Sequence, residues 1–364
     1  MDRIINKVGV HNLQFFDKHD IKCYKEHKLC RCLTIKSLQK KYKPRSKNDL
    51  RTTMHWGQRK LLMTEIDFLT QYSTENDLVL YVGAAPAIHT PLLSKLFPTL
   101  KFILIDPMKF TIHETEYIKI RREYFTDEKA KEFIGKDFLF ICDIRISNDE
   151  KNYKPTEHEV KMDMLIQQKW VEIMKPRYSI LKFRLPWDQK TFEYLDGNIT
   201  IQAWGPQSST ETRLIIDNSL EKRVWNCEIY ENQMYYFNTV TRCQYYPHNI
   251  IAPGIDHCYD CSSEIDIIRN YLKIFEPNKN NDKTIIKIIH KISKHLTKGE
   301  GSLSGYYYYK YLNYNNNLKN SIKYNLISLI HQLNIVQDRN NIEKFTKIFE
   351  DIKKIILNES INNE

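Results

Sequence analysis

The sequence predicts an α/β fold in which a parallel or mixed sheet carries helices on both faces. Short apolar runs bounded by turn residues alternate with segments of helical spacing over residues 51–262. Strands that alternate with helices favour parallel pairing, because each crossover helix returns the chain to the same edge of the sheet. Ligands of such sheets bind beyond the carboxyl ends of the strands, so we expect a functional site at that edge.

The elements follow one another in a regular order. The pattern at residues 55–72 predicts a helix, and those at 89–97 and 163–175 predict two more. The first helix places four apolar residues on one face: Leu61, Leu62, Ile66 and Leu69. Apolar runs predict six strands, at residues 78–86, 101–107, 138–144, 178–184, 199–205 and 212–217.

Composition divides the chain into three parts. Residues 1–50 are basic and lack clean periodicity, so we expect an extended or partly helical arm. Residues 51–262 carry the alternating pattern and form the predicted domain. Residues 263–364 are more polar, and two stretches, 321–336 and 341–357, have helical spacing. We therefore expect a helical C-terminal appendage whose role the sequence does not indicate.

The positive charge is concentrated at the start of the chain. Residues 1–60 contain 16 Lys or Arg against 5 Asp or Glu, a net +11, whereas the whole chain carries +10. A basic segment beside a near-neutral body favours a nucleic-acid partner over a membrane, although a general lysine bias would look similar. No apolar run approaches the ~18–20 residues that span a bilayer, and no signal-peptide pattern starts the chain. We expect a soluble, intracellular protein.

The eight cysteines are expected to be thiols rather than disulfides in such a compartment. Cys30 and Cys32 form one pair, and Cys258 and Cys261 form another with the spacing of a zinc knuckle. With His257 or Cys23 the pairs could hold zinc, but free thiols are the default interpretation, and we predict no metal.

The segment YVGAAPAIHT, residues 81–90, combines a strand with a turn of small residues. Small side chains let backbone N–H groups approach a ligand. Asp106 follows about twenty residues later at the end of the next strand, where an acid would bind ribose hydroxyls. With one glycine the motif alone is weak, and a βαβ unit without a cofactor fits it as well.

Four charged residues stand where the pattern brings strand ends together: Lys60, Asp143, Lys182 and Glu211. Each alone could be a solvated lysine or a strand-end cap, but strand ends converge in this architecture. A ribose hydroxyl is a poor nucleophile, and a lysine poised by a second cation and two carboxylates could activate it.

Polar residues as well as apolar ones then establish a resemblance. The segments GQRKLLMTEIDFL, VLYVGAAPAIH, ILID, FICDIR, ILKFRLPWDQ, SSTETRL and YENQMYYFN follow in order. Over residues 42–240 the chain resembles the poxvirus-type cap-specific mRNA 2'-O-methyltransferases, which also serve as processivity subunits of poly(A) polymerase. The resemblance implies a Rossmann-like methyltransferase fold that uses S-adenosylmethionine.

The resemblance also implies residue roles. Lys60, Asp143, Lys182 and Glu211 would be the catalytic tetrad, with Lys182 taking the hydroxyl proton. The implied cofactor contacts are Tyr81, Gly83, Ala85, Pro86, His89, Asp106, Phe125 and Asp143. The implied cap and RNA contacts are Tyr42, Arg145, Arg184, Trp187, Asp188, Ser209 and Glu231. Among these, Trp187 and Tyr42 would stack on methylguanine, and Asp188 and Glu231 would read its edge.

The chain departs from the family at Ala87, where the family has glycine, and at Ile88, which is bulkier than expected. The implied partners are capped mRNA and a poly(A) polymerase or another transcription-complex subunit, in the virion or host cytoplasm. Two alternatives stay open. One is a methyltransferase fold that only holds RNA for a polymerase, and the other is a 2'-O-methyltransferase of ribosomal or transfer RNA.

Overall fold

The structure is a computed structural model that describes residues 28–43, 57–145, 155–206, 209–243, 246, 248–250, 252, 255 and 258–299. The strands are β1 Cys32–Leu33, β2 Leu78–Val82, β3 Lys101–Ile105, β4 Ile118–Arg121, β5 Leu139–Cys142, β6 Tyr178–Phe183, β7 Thr191–Leu195, β8 Asn198–Thr200, β9 Thr212–Asp217 and β10 Lys222–Asn226. The α-helices are α1 Gly57–Tyr72, α2 Thr90–Leu96, α3 Asp127–Lys131, α4 Glu157–Met174, α5 Cys227–Thr239, α6 Tyr259–Phe275 and α7 Asp282–Gly299.

The central sheet has eight strands in the order β1-β8-β9-β6-β5-β2-β3-β4. The five strands from β4 to β6 pair in parallel, whereas β9, β8 and β1 add antiparallel pairs at one side. The chain moves outward from β2 to β4 and then returns to β5 on the other side of β2. The carboxyl ends of β2 and β5 therefore form a topological switch point, where α/β sheets bind ligands.

Alternation along the strands builds two hydrophobic layers. In β2, Val79 and Tyr81 face one layer, and Leu80 and Val82 face the other. The first layer contains side chains of α1, α2, α6 and α7. The second contains side chains of α3, α4, α5, β7 and β10. The expected α/β sheet with helices on both faces, in its Rossmann-like form, is confirmed.

Five of the six predicted strands lie where the apolar runs indicated, and the sixth is shorter. The run 199–205 is strand only to Thr200, because the chain then turns and Trp204 adopts a positive φ of 63°. The helix predicted at 163–175 begins earlier, at Glu157, where Thr156 and Glu159 form a capping box. The sequence analysis missed strands β1, β4, β7 and β10, which have two to five residues each, and helices α3 and α5.

Helices α6 and α7 belong to the same core as the sheet. The boundary expected between residues 262 and 263 falls inside α6, and Ile265, Ile268 and Ile289 are buried against α1 and its neighbours. Within the predicted arm, β1 pairs with β8, so this part of it is held to the sheet. The helical stretches 321–336 and 341–357 lie outside the described residues. Among the helices that are described, none combines the length and apolar character needed to cross a membrane.

Candidate active site

The four charged residues singled out in the sequence come together at the carboxyl edge of the sheet. Lys60 Nζ lies 2.7 Å from Glu211 Oε1, and Lys182 Nζ lies 2.9 Å from Asp143 Oδ1. Lys182 Nζ is also 3.9 Å from Glu211 Oε2, which joins the two pairs. All four side chains are largely buried. The four residues therefore lie together, as the sequence predicted. Their catalytic roles stay predictions.

Strand register explains why these side chains meet. The Asp143 N–H donates to the Val82 carbonyl, which fixes the chain directly after β5 beside the end of β2. Leu181 and Phe183 face the second core layer, so Lys182 between them faces the opposite side of the sheet. Lys182 is directly opposite Arg213 on β9, and opposed residues share one face. Lys60 reaches this face from the first turn of α1.

Arg213 is a member of the cluster that the sequence analysis missed. Its guanidinium lies 2.7 Å from Asp143 Oδ1 and 3.2 Å from Glu211 Oε1, and its side chain is 4% exposed. The signal available in the sequence was an arginine in the strand TRLIID, two residues after Glu211. A buried arginine needs carboxylate partners, and these come from distant parts of the chain.

Ion pairing keeps the carboxyl groups of the cluster ionised although they are buried. Burial lowers the pKa of Lys60, an effect that Glu211 offsets only in part. Burial would raise the pKa of Glu211, but Lys60, Lys182 and Arg213 bring it well below its ordinary value. The pKa of Asp143 is also lowered, because Lys182 and Arg213 outweigh burial. Both acids are therefore carboxylates, and they fix the positions of the surrounding cations.

Such a cluster can orient a hydroxyl group and stabilise the negative charge that develops when the hydroxyl loses its proton. Three cations surround two carboxylates, so the buried charges have a net positive sign. Preorganised positive groups in a site with little water stabilise a developing alkoxide strongly. Arg145 pairs with Glu211 Oε2. It is more exposed than the other members and lies at the rim of the cluster.

The loop after β2 is adjacent to this cluster. Gly83 has a φ of 79°, and a Cβ there would lie 2.7 Å from the carbonyl carbon of Asp143. Asp106, at the end of β3, accepts from the Ala85 N–H at 3.1 Å and from the Met108 N–H at 2.8 Å. The loop is thus held close to the sheet edge, which is where sheets of this kind bind nucleotide-type ligands.

Ala87 occupies a backbone conformation that favours glycine. Its φ is 62° and its side chain is buried. The resemblance implies glycine at this position, so the departure noted in the sequence falls on a residue with a left-handed backbone. The Pro86 carbonyl beside it accepts from the Thr111 N–H at 3.1 Å and the Thr111 hydroxyl at 2.9 Å.

Three of the predicted cofactor residues have buried side chains. His89 Nδ1 is 2.8 Å from Gln58 Oε1, and His89 Nε2 is 2.8 Å from Glu65 Oε2, so its ring faces α1. Tyr81 is enclosed in the same region, and its phenol has a strongly raised pKa because of burial and the nearby Glu65. Phe125 packs edge-on against Trp170, with 4.8 Å between ring centroids. The side chains of Tyr81 and His89 are therefore enclosed by protein. We still expect both residues to contact the cofactor, through their main-chain atoms.

A second group of predicted residues surrounds Trp187. This tryptophan is 53% exposed, and its backbone N–H donates to Glu157 Oε2 at 2.8 Å. The Arg184 guanidinium lies 3.9 Å from the centre of the Trp187 ring and pairs with Glu157. Arg184, one of the implied cap and RNA contacts, covers one face of the indole here, and its contact with RNA stays a prediction. Glu157, which the sequence analysis missed, holds both residues in place.

Glu231 lies close to this group. Burial raises the pKa of Glu231, and the negative charges of Glu157 and Glu228 raise it further. A concentration of carboxylates of this kind favours a cationic ligand. Asp188 is exposed next to Trp187.

Tyr42 contacts helix α5 one residue beyond Glu231. Its N–H donates to Asn232 Oδ1 at 2.9 Å, and its ring meets that of Tyr235 edge-on at 5.5 Å. Its side chain is 46% exposed. The structure therefore places Tyr42 beside the helix that carries Glu231, and their contacts with a cap base stay predictions.

Ser209 lines a cleft that opens beside the cluster. Its hydroxyl accepts from the Glu211 N–H at 3.0 Å, which positions the acid. The cleft is lined by residues that include Lys60, Gly205, Pro206, Ser209, Glu211 and Asn238. Lys60 and Glu211 thus line a small recess next to the rest of the cluster.

The cysteine pairs do not form a metal site in the part of the chain that the structure describes. No group of three His, Cys, Asp or Glu side chains there could hold a metal ion. Cys258 instead caps α6, where its sulfur accepts from the Cys261 N–H at 3.3 Å. Cys30 donates to the Cys32 carbonyl at 3.3 Å. His257 and Cys23, the other candidate ligands, are outside the described residues.

Comparisons with known proteins cover most of the chain. The family model described as poly A polymerase regulatory subunit matches residues 31–298. A cap-specific mRNA (nucleoside-2'-O-)-methyltransferase of myxoma virus (strain Lausanne) is 28% identical over 275 residues, 68% of this chain and 78% of that protein. The protein of the same name from fowlpox virus (strain NVSL) is 30% identical over 211 residues, 51% of this chain and 68% of that protein. The family match includes all four charged residues of the cluster.

Two solved structures are also similar. Bluetongue virus VP4, described as a multifunctional RNA-capping production line, has a TM-score of 0.38 at 10% identity, over 61% of this chain and 39% of that one. A ribosomal RNA methyltransferase of Plasmodium falciparum has a TM-score of 0.30 at 13% identity, over 44% of this chain and 96% of that one.

Proposed function

Because this chain belongs to the poly(A) polymerase regulatory subunit family, we propose that it is an S-adenosylmethionine-dependent mRNA cap 2'-O-methyltransferase. It methylates the ribose 2'-hydroxyl of the first transcribed nucleotide. The poxvirus relatives that match the chain carry the name of this activity. The observation that carries the proposal is the buried cluster of Lys60, Asp143, Lys182 and Glu211 at the switch point of the sheet.

In this proposal the Lys182 ammonium first gives up a proton to solvent, and its Nζ would then take the proton of the ribose hydroxyl. The ribose oxygen would bond to the methyl carbon as the bond from that carbon to the donor sulfur breaks. Asp143 and Glu211 hold Lys182 in position, 2.9 Å and 3.9 Å from its Nζ. Arg213 and Lys60 stabilise the negative charge that develops on the ribose oxygen. Positioning and proton removal account for most of the acceleration, since the methyl donor is already reactive.

The residues at the sheet edge fit S-adenosylmethionine. Its sulfonium supplies an electrophilic methyl group. Glycine at position 83 lets the loop after β2 lie directly against the backbone at Asp143, where a Cβ would meet the carbonyl carbon at 2.7 Å. This contact places the loop beside the cluster. Asp106 has acceptor capacity beyond its two loop hydrogen bonds and would bind the ribose hydroxyls. Ala85, Pro86 and the main chain of Tyr81 would line the remainder.

The cap base would stack on Trp187, on the face that Arg184 leaves open. Methylated guanine is cationic, so an aromatic face and nearby carboxylates favour it over unmethylated guanine. Glu231 and Asp188 would accept from its edge, and Glu157 adds negative charge. Tyr42 would cover the opposite face of the base, while Arg145 and Ser209 would contact the RNA near the cluster.

The family description also favours a second role, as a subunit of a poly(A) polymerase. We propose that this role accompanies methyl transfer, in the virion or in the host cytoplasm, as expected of a viral protein. A chain that only held RNA would not need the complete buried cluster, whose burial is costly without a function.

Labelled methyl transfer to capped and uncapped RNA of identical sequence tests the proposed function. We expect incorporation on capped RNA only, at the first nucleotide. Lys182→Ala should lower the rate by ~10²–10⁴-fold, as expected when a general base is lost. Equal incorporation on uncapped RNA would favour a ribosomal or transfer RNA methyltransferase. No incorporation by a folded protein would favour the polymerase subunit alone.

A further inference from the structure

Helix α7 exposes a row of lysines on its outer side. Lys283, Lys287, Lys291 and Lys294 follow at intervals of four, four and three residues, so they lie on one face of the helix. All four are exposed. We call these four residues the α7 lysine row. Successive members rise about 6 Å per four residues, and the row extends about 16 Å along the axis.

The orientation of the lysine row is fixed by the opposite face of α7. Ile285, Ile289, Ile292 and Leu296 are fully buried in the first core layer. Because this apolar face is covered by protein, α7 cannot insert it into a bilayer as amphipathic membrane helices do. Among the described residues nothing covers the row, which faces away from the core.

Polar contacts also connect the inner side of α7 to the candidate active site. The Arg59 guanidinium donates to Ser293 Oγ at 2.7 Å, and Arg59 precedes Lys60 in α1. His295 Nε2 lies 2.8 Å from the carbonyl oxygen of Ile88, in the loop after β2. The lysine row is thus about one helix diameter, ~10 Å, outside the elements that carry the cluster and the loop.

Repulsion between neighbouring lysines of the row destabilises α7. Like charges at i,i+4 destabilise a helix by roughly 0.2–0.5 kcal/mol per pair, and Lys287 has such a neighbour on each side. The only acid in α7 is Asp282, which pairs with Arg269 at 2.9 Å. Among the described residues, no ion pair involves Lys283, Lys287 or Lys291. A concentrated positive surface of this kind suits a polyanion.

We propose that the α7 lysine row binds the phosphate backbone of single-stranded RNA, downstream of the nucleotide in the active site. The rise between successive lysines is similar to the separation of adjacent phosphates in an extended strand. The choice of RNA as the polyanion rests on the proposed function. Binding through lysine and phosphate is independent of base sequence, so the row would retain any transcript whose 5' end is in the cleft.

The test compares the full chain with the triple variant Lys283→Gln, Lys287→Gln, Lys291→Gln. A matched control removes the same charge from exposed positions on β3, β4 and α3. It is the triple variant Lys101→Gln, Lys119→Gln, Lys131→Gln. Fluorescence anisotropy measures binding of an uncapped, unstructured, fluorescein-labelled RNA of about 30 nucleotides over a range of salt. Each lost phosphate contact lowers the log–log salt slope by about 0.7, so we expect a decrease of about 2 for the row variant. Affinity at low salt should fall at least about tenfold, and the control should match wild type.

Methyl transfer to capped RNAs of two lengths then separates this proposal from the proposed function. The row variant should keep the wild-type rate on a capped RNA of a few nucleotides, and its KM should rise on a long capped RNA. Unchanged salt slope and affinity in the row variant would overturn the proposal and favour an acidic protein surface as the occupant. An equal loss in the control would also overturn it, since net charge alone would then explain the effect. If wild type methylates neither RNA, the proposed function fails, while anisotropy still decides whether α7 binds RNA.

Discussion

Lys182 and Arg213 are opposed on neighbouring antiparallel strands, and the carboxylates of Asp143 and Glu211 lie between their charges and that of Lys60. Two cations this close would repel each other, but each shares a carboxylate oxygen with another cation. Removal of one carboxylate would leave buried positive charge without compensation, which is far more costly than loss of an exposed pair. The cluster is therefore interdependent, and its members should respond together to substitution and to pH.

Stability should depend on the ionised form of Glu211. Its folded pKa lies well below the ordinary value of 4.5. An acid with a depressed pKa stabilises the folded state above the unfolded pKa, and this contribution is lost as pH falls through the folded pKa. The unfolding free energy of wild type should therefore exceed that of Glu211→Gln at neutral pH, and the gap should narrow below about pH 4.5.

Urea unfolding of both proteins at several pH values measures this gap. Glu132→Gln is the control, because Glu132 forms an exposed pair with Arg121 and its loss should change little. A gap that stays constant down to the acid limit of folding would show that the Glu211 carboxylate does not depend on the cluster.

Gly83 should be intolerant of alanine for two separable reasons. Gly83 and Gly135 have similar positive φ values, 79° and 74°, so alanine costs roughly 1–2 kcal/mol of conformational energy at either. Only at Gly83 does the new Cβ meet backbone, 2.7 Å from the Asp143 carbonyl carbon. Overpacking adds roughly 1–3 kcal/mol there. Denaturant unfolding of Gly83→Ala and Gly135→Ala checks the difference, and equal losses would mean that the loop moves away from Asp143 without strain.

At the scale of elements, helices α6 and α7 are part of the framework that positions Lys60. Arg59 donates to both oxygens of Glu264 in α6, at 2.8 Å and 2.7 Å, and to Ser293 in α7. The Trp204 indole N–H also donates to Glu264, at 3.0 Å. The segment that ends at Gly205 is thereby fixed next to Lys60, since a Cβ at residue 205 would lie 4.0 Å from Lys60 Cδ.

Loss of the Glu264 charge should destabilise the whole domain. Breaking a buried ion pair from one side costs roughly 3–5 kcal/mol, and both side chains are 1% exposed here. The control is Asp282→Asn, which breaks the exposed pair with Arg269 and should cost at most ~1 kcal/mol. Thermal or urea unfolding compares Glu264→Gln with this control. A similar small loss in both would mean that α6 is held by apolar packing alone.

At the scale of the whole molecule, the sequence predicted the parallel strands and the convergence of the four charged residues. The apolar runs that end at Asp143 and Lys182 are strong local signals, and topology brings strand ends together. It did not predict the burial of Arg213 or the part that Glu157 plays beside Trp187, because those depend on partners from distant segments. The place of α6 in the core was missed for the same reason: its apolar side chains are buried by partners such as α1 and Phe97, which are distant in the sequence.

The central claim is that the buried cluster activates the ribose 2'-hydroxyl of the first nucleotide of capped RNA. The most direct measurement is labelled methyl transfer to two capped RNAs that differ only at this nucleotide, one with ribose and one with 2'-deoxyribose. We predict incorporation into the first RNA and none into the second, because the deoxy sugar has no oxygen to accept the methyl group. Equal incorporation into both would contradict the claim and assign the methyl group to a base or to the ribose of a later nucleotide.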